Sequence, residues 1–244
     1  MIQILKSEFY KIKHTWIYWF HIILPVAYAI TFYYTSKVTS LRNFEVSSII
    51  QNYLVFLGAV LPIIIGVITS KIIDMEVSAG HFQVLLSSIK SKSKVYSGKL
   101  FTLLIGALCS ISIAIVIFGL LFGHQLVIAW LIEIWLIFIG CVSIYMIHLW
   151  VSIIFGGGAS IGLGFLETLI AFLLMTSLGE KMWYFLPCTW SSRLPATYIV
   201  GTQLTDGSFL YHELTMWIYI AIPMTILIFI SSLIWFNKWD GKTT

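Results

Sequence analysis

The sequence predicts an all-α integral membrane protein with six transmembrane helices, on three observations. Hydrophobic residues make up 59% of the 244 residues and charged residues only 10%, and a mean hydropathy of +0.97 lies far above that of water-soluble domains. Apolar runs long enough to cross a hydrocarbon core of roughly 30 Å, which takes about 20 helical residues, recur near 15–35, 50–69, 100–122, 126–153, 160–178 and 216–236. These runs are apolar all round, whereas the strands of a membrane barrel would alternate apolar and polar over about ten residues. The connecting segments are too short for a soluble domain, so residues 1–244 read as one domain.

At the N-terminus, Ile2, Leu5, Phe9, Ile12 and Trp16 follow one stripe, with Lys6, Lys11 and Lys13 mostly off it. Residues 1–14 are therefore expected to form an amphipathic interfacial helix on the inner surface, turning upward at His14, Thr15 and Trp16. A polar, basic start before a full-length span, with no small-x-small site after it, reads as a retained segment and not a cleaved signal. Pro25, Pro62 and Pro223 sit within spans one, two and six, where each removes a backbone bond and can bend its helix.

After span two comes DMEVSAGHFQVLLSSIKSKSKVYSGKL, residues 74–100. Met75, Ala79, Phe82, Leu86 and Ile89 recur at steps of three and four with Leu85 beside them, which predicts an amphipathic helix over 74–90. Asp74 and Glu76 stand at its positive start and Lys90, Lys92 and Lys94 at its negative end. Gly80 falls in mid-helix, at a cost of ~1 kcal/mol relative to Ala, which close approach by another chain can offset. The alternative is a helix that rests its apolar face on the inner leaflet.

The run at 126–153 exceeds one crossing, so it tilts or carries an interfacial turn. Gly156, Gly157 and Gly158 predict a tight turn between spans four and five. In the outer loop 179–214, Met182, Trp183, Tyr184, Phe185, Trp190 and Tyr198, broken by Pro187 and Pro195, describe a chain at the outer interface. It either dips into the membrane and returns, as a gate or substrate shelf, or serves as an aromatic belt anchoring span six.

Orientation follows from the basic residues. With both termini inside, Lys6, Lys11, Lys13, Lys71, Lys90, Lys92, Lys94, Lys99, Lys238 and Lys242 are inner, while Lys37, Arg42, Lys181 and Arg193 are outer. That bias places the 74–90 segment in the cytoplasm. The net charge of +4 then suits an anionic inner leaflet, and no basic helix or stacking-aromatic platform points to nucleic acid. Cys109 and Cys141 fall within spans and Cys188 in the outer loop, without a disulfide framework.

Glu133, His148 and Glu167 lie within spans, where an ionised side chain costs about 2.5–3.5 kcal/mol on insertion scales. They either line a path that accepts a cationic peptide or drug, or hydrogen-bond to neighbouring helices, His148 as a packed core histidine. No P-loop is present: Gly241-Lys242-Thr243 would need a glycine where Phe236 stands, and Gly98-Lys99 is followed by Leu100. A helical His-Glu-x-x-His is absent, and Asp74, Asp206 and Asp240, the only aspartates, fall outside the spans. A lipid-modifying enzyme with scattered residues remains as a rival reading.

The surface segment LKSEFYKIKHTW, six spans, and an inner loop running through Glu76, Ala79-Gly80, Leu85-Leu86 and IKSKSKVYSGKL resemble the permease subunits of ABC-2 type exporters. The words AGHFQVLL and FLPCTWSSRL look like the lantibiotic-immunity, LanE/LanG type, branch, although Cys188 stands where that branch would carry a Pro-Trp pair. The resemblance implies a non-catalytic permease in a multi-pass bacterial cell membrane setting, working with a second, related permease and a cytoplasmic ATPase dimer. ATP and Mg would bind in the ATPase and no cofactor in this chain. It further implies that the 74–90 helix is a coupling helix in an ATPase groove, with Glu76, Gly80, Phe82, Leu85, Leu86 and Ile89 as its contact residues. The exported substrate would be an amphipathic peptide antibiotic, a multidrug or lipid-linked-antibiotic exporter being the alternative.

Overall fold

The computed structural model describes residues 2–80 and 91–240, and every regular element among them is helical. Helix α1 (Ile2–Lys13) meets α2 (Trp16–Val38) at a corner that Thr15 closes, its hydroxyl donating to the Ile12 carbonyl at 2.8 Å. There follow α3 (Val46–Ser78), α4 (Lys92–Phe122), α5 (Val127–Phe155), α6 (Gly157–Leu173), α7 (Pro187–Gln203) and α8 (Ser208–Lys238). Helices α2, α3, α4, α5 and α8 are long and apolar enough to cross a membrane. Helix α6 is apolar but has 17 residues, roughly 25 Å at 1.5 Å per residue.

Two expectations change after span two. Residues 74–78 form the last turn of α3 and do not begin a separate helix. Gly80, expected in mid-helix, takes φ +127°, a conformation that ends α3 instead of continuing it. The apolar rhythm of span two runs into Met75 without a break, so periodicity alone could not show where that helix stops. Between α5 and α6 the expected tight turn is a single residue, Gly156, at φ +84°.

Helix α3 is the hub: 72% of its most apolar stretch is buried, against 17% for α2 and for α8. Helices α5, α6 and α7 pack around it, α2 leans on α4, and α5 joins the two groups. Lipid tails are as apolar as leucine, so these helices gain little from hydrophobic burial and rely on close packing through small residues. Ser191 of α7 is wedged between Gly58 of α3 and Gly140 of α5; a Cβ on Gly140 would lie 2.5 Å from the Ser191 nitrogen. Where α6 meets α3, a Cβ on Gly164 would lie 2.5 Å from the Pro62 carbonyl oxygen.

Two of the prolines, Pro62 and Pro25, are compensated by serines on other helices. Pro62 lacks the N–H that would bond the Gly58 carbonyl, and the Ser191 hydroxyl donates to that carbonyl at 2.9 Å. Pro25 likewise releases the His21 carbonyl, which accepts from the Ser110 hydroxyl at 3.1 Å.

The segment between α6 and α8 is more buried than an interfacial belt. Trp183, Tyr184, Trp190 and Leu194 join Trp217 and Ala221 of α8 in a second apolar cluster, while Met182 and Phe185 stay exposed. Cys188 is buried at the start of α7. Arg193 reaches back to the end of α6, its Nε donating to the Leu174 carbonyl at 2.8 Å and its Nη2 to the Thr176 carbonyl at 2.9 Å.

Candidate functional site

The ends of α3 and α4 that flank residues 79–91 are held by four charged side chains. Lys99 of α4 reaches Glu8 of α1 at 2.6 Å and Glu76 of α3 at 2.7 Å. Lys11 of α1 reaches Glu8 at 2.8 Å and Glu76 at 2.7 Å. Two carboxylates thus face two ammonium groups, and Glu8, Glu76 and Lys99 are buried. Such a cluster is costly to desolvate and is held by mutual attraction, so removing one member leaves an uncompensated buried charge. Burial works to lower the Lys11 pKa, but the hydrogen bonds and charges of Glu76 and Glu8 outweigh it and hold the group above its ordinary 10.5.

Helix α4 is tied at the same end to α8: the Lys92 ammonium donates to the Trp239 carbonyl, and the Ser93 hydroxyl to Asn237 Oδ1 at 2.8 Å. The two flanks of residues 79–91 are therefore connected through side chains to α1 and to the end of α8. Glu76, expected on a surface offered to a partner, instead lies inside the cluster, with 7% of its surface exposed. Phe82, Leu85, Leu86 and Ile89 lie outside the described residues.

Reading the sequence missed Glu8 and treated Lys99 only as an inner positive charge. The signal was present in both. Glu8 interrupts the face formed by Leu5, Phe9 and Ile12, and Lys99 stands among Val95, Tyr96, Leu100 and Leu103, so each ion occupies an apolar face and needs a partner.

The three ionisable residues expected along a path do not share one cavity. His148 of α5 and Glu167 of α6 are paired, Nε2 to Oε2 at 2.9 Å, while His148 Nδ1 meets Ser160 Oγ at 2.8 Å. Ser160 Oγ also meets Thr69 Oγ1 of α3 at 3.0 Å, so the chain of polar groups joins three helices. Acid, imidazole and hydroxyl stand in the order found in hydrolases, but here the imidazole and hydroxyl are wholly buried and bonded to one another, to Glu167 and to Thr69 between packed helices. The arrangement satisfies buried polar groups between packed helices.

Glu133 stands apart, roughly 22 Å from His148 along α5 at 1.5 Å per residue. It borders a cavity of about 610 Å³ formed by the start of α3, the α4–α5 turn and the last turns of α7. Its residue surface is wholly buried. One carboxylate oxygen accepts from Gln125 Nε2 at 2.8 Å, and the other has no hydrogen-bond partner.

A bundle of long apolar helices, with a four-charge cluster joining α1, α3 and α4 and a His148–Glu167 pair between helices, is that of a multi-pass membrane protein. The model of the ABC-2 family transporter protein matches residues 4–173, from α1 to the end of α6, and the chain belongs to that family. It is a membrane component of an ABC-2 transporter, a permease, and permeases of this family generally work with a cytoplasmic ATPase. No curated protein and no solved structure matches the chain.

Proposed function

We propose that this permease has six spans with both termini in the cytoplasm, α6 being the fifth crossing, and that α1 lies along the inner surface of a bacterial cell membrane. It pairs with a second permease and with two ATPase subunits that bind ATP and Mg. The complex exports an amphipathic peptide antibiotic, a lantibiotic, and so protects the cell. The stretch 179–214, with α7 dipping inward and returning, lies at the outer end of the path.

The observation that carries this reading is the four-charge cluster of Glu8, Lys11, Glu76 and Lys99. A load applied by the ATPase to Phe82, Leu85, Leu86 and Ile89 enters α3 and α4 at their ends. Because the cluster binds those ends to α1, the three helices respond as one lever. Gly80 is the hinge and Glu76 a member of the lever, neither needing to touch the ATPase.

The test is co-expression with the ATPase encoded beside it. Phe82→Ala and Leu86→Ala should leave the complex assembled and ATP hydrolysis intact while abolishing ATP-dependent tolerance to a lantibiotic. Full tolerance in both variants, at normal abundance, sinks the coupling role. Challenge with lipid-linked antibiotics and unrelated drugs separates the substrate readings, since protection against those alone replaces the peptide.

A further inference from the structure

We infer that the cavity beside Glu133 is a recognition site for an organic ammonium group, with the Glu133 carboxylate as its counter-charge. Glu133 is wholly buried, and among the described residues its only hydrogen-bond donor is Gln125, which serves one oxygen and leaves the other unpartnered. A buried acid with a vacant acceptor and no basic partner is rare in native folds, because both the charge and the lone pairs go uncompensated. Here the acid borders an open cavity of about 610 Å³, room for a side chain and its apolar neighbours and not merely for an ion.

The walls agree with that occupant. Ser47, Tyr198 and Thr202 bring hydroxyl-bearing side chains to the lining, while Ile50 and Ile199 supply apolar surface. No described Lys or Arg lines the cavity, so Glu133 is the one formal charge in its wall. A bound metal would call for several ligands, and no group of three or more His, Cys, Asp or Glu gathers among the described residues. An ammonium needs only one carboxylate and neighbouring acceptors. The inference deepens the export reading, and rests on it for its meaning: an ammonium beside an apolar face is what a cationic amphipathic peptide presents.

The site is tested on the full chain in zwitterionic nanodiscs without ATPase. The probe is a fluorescent amphipathic peptide of leucine and lysine, compared with the same peptide fully acetylated and with empty discs. The parent chain should bind the free-amine peptide, and Glu133→Gln should weaken binding at least tenfold. Thr202→Trp, which fills the cavity and keeps the carboxylate, should do the same and guards against a Glu133 variant that fails to fold. Unchanged binding in either folded variant, or equal binding of the acetylated peptide, overturns the site. Absent binding with intact ATP-dependent tolerance sinks the site and spares the export reading. Glu133-dependent binding without such tolerance does the reverse.

Discussion

Ser191 donates its hydroxyl to the carbonyl of Gly58, the acceptor that Pro62 leaves without its helical partner. One hydrogen bond thus both repairs α3 and fixes α7 against it. Ser191→Ala should destabilise the chain by about 1–3 kcal/mol, the cost of an orphaned buried acceptor. In a Pro62→Ala background the missing N–H returns, and the same substitution should cost less than about 0.5 kcal/mol. Thermal unfolding of the four variants in detergent checks this; an unchanged cost in both backgrounds refutes the repair.

The buried charge cluster should respond to balance more than to the number of ions. Lys99→Met leaves Glu8 and Glu76 facing Lys11 alone and should cost about 3–5 kcal/mol. Removing Glu76 as well, in a Glu76→Gln, Lys99→Met double variant, keeps the Glu8–Lys11 pair at 2.8 Å and should recover much of that loss. Folded yield and melting temperature decide it, a double variant no better than the single counting against the cluster.

Lys11 sets a pH dependence whose sign follows from its raised pKa. The protonated form is favoured by folding, so its contribution is fully present below the ordinary value of 10.5 and is lost as pH rises through the higher folded value. The melting-temperature gap between the parent and Lys11→Met should therefore be constant at neutral pH and shrink above pH 10.5. Lys11→Arg, which keeps its charge further into alkali, should shrink less. A gap independent of pH throughout would exclude the ion pairs as its source.

Gly140 should be intolerant of bulk. A Cβ there would lie 2.5 Å from the Ser191 nitrogen, so Gly140→Leu must push α7 away from α5. Displacement of α7 should uncover Cys188, now buried near its start. In a Cys109→Ser, Cys141→Ser background, maleimide should label Cys188 slowly in the parent and at least tenfold faster in Gly140→Leu. Equal rates would mean that α7 accommodates the side chain in place.

Length, hydropathy and periodicity made much of the helical architecture readable. Apolar runs foretold helices at each of six places, and Ile2, Leu5, Phe9 and Ile12 foretold α1. What stayed hidden depended on neighbours distant in sequence. Met75 continues the apolar rhythm of α3, so only the positive φ at Gly80 marks its end. Glu8 and Lys99 each sit on an apolar face and call for a partner, but they lie 91 residues apart, and only the fold, bringing them to 2.6 Å, shows that they are each other's. The pairing of His148 with Glu167, and the isolation of Glu133 from both, depends on which way α5 and α6 face each other, a matter of rotation that composition does not encode.

Arg193 has a consequence for how the chain is made. Its guanidinium holds the Leu174 and Thr176 carbonyls just beyond the short helix α6, yet it joins the chain only after that helix. Until then the nascent hairpin must find water or headgroups for those oxygens, so its seating in the bilayer is complete only when the later segment folds back. A chain cut short before this arginine would leave that hairpin unlatched at the end of α6.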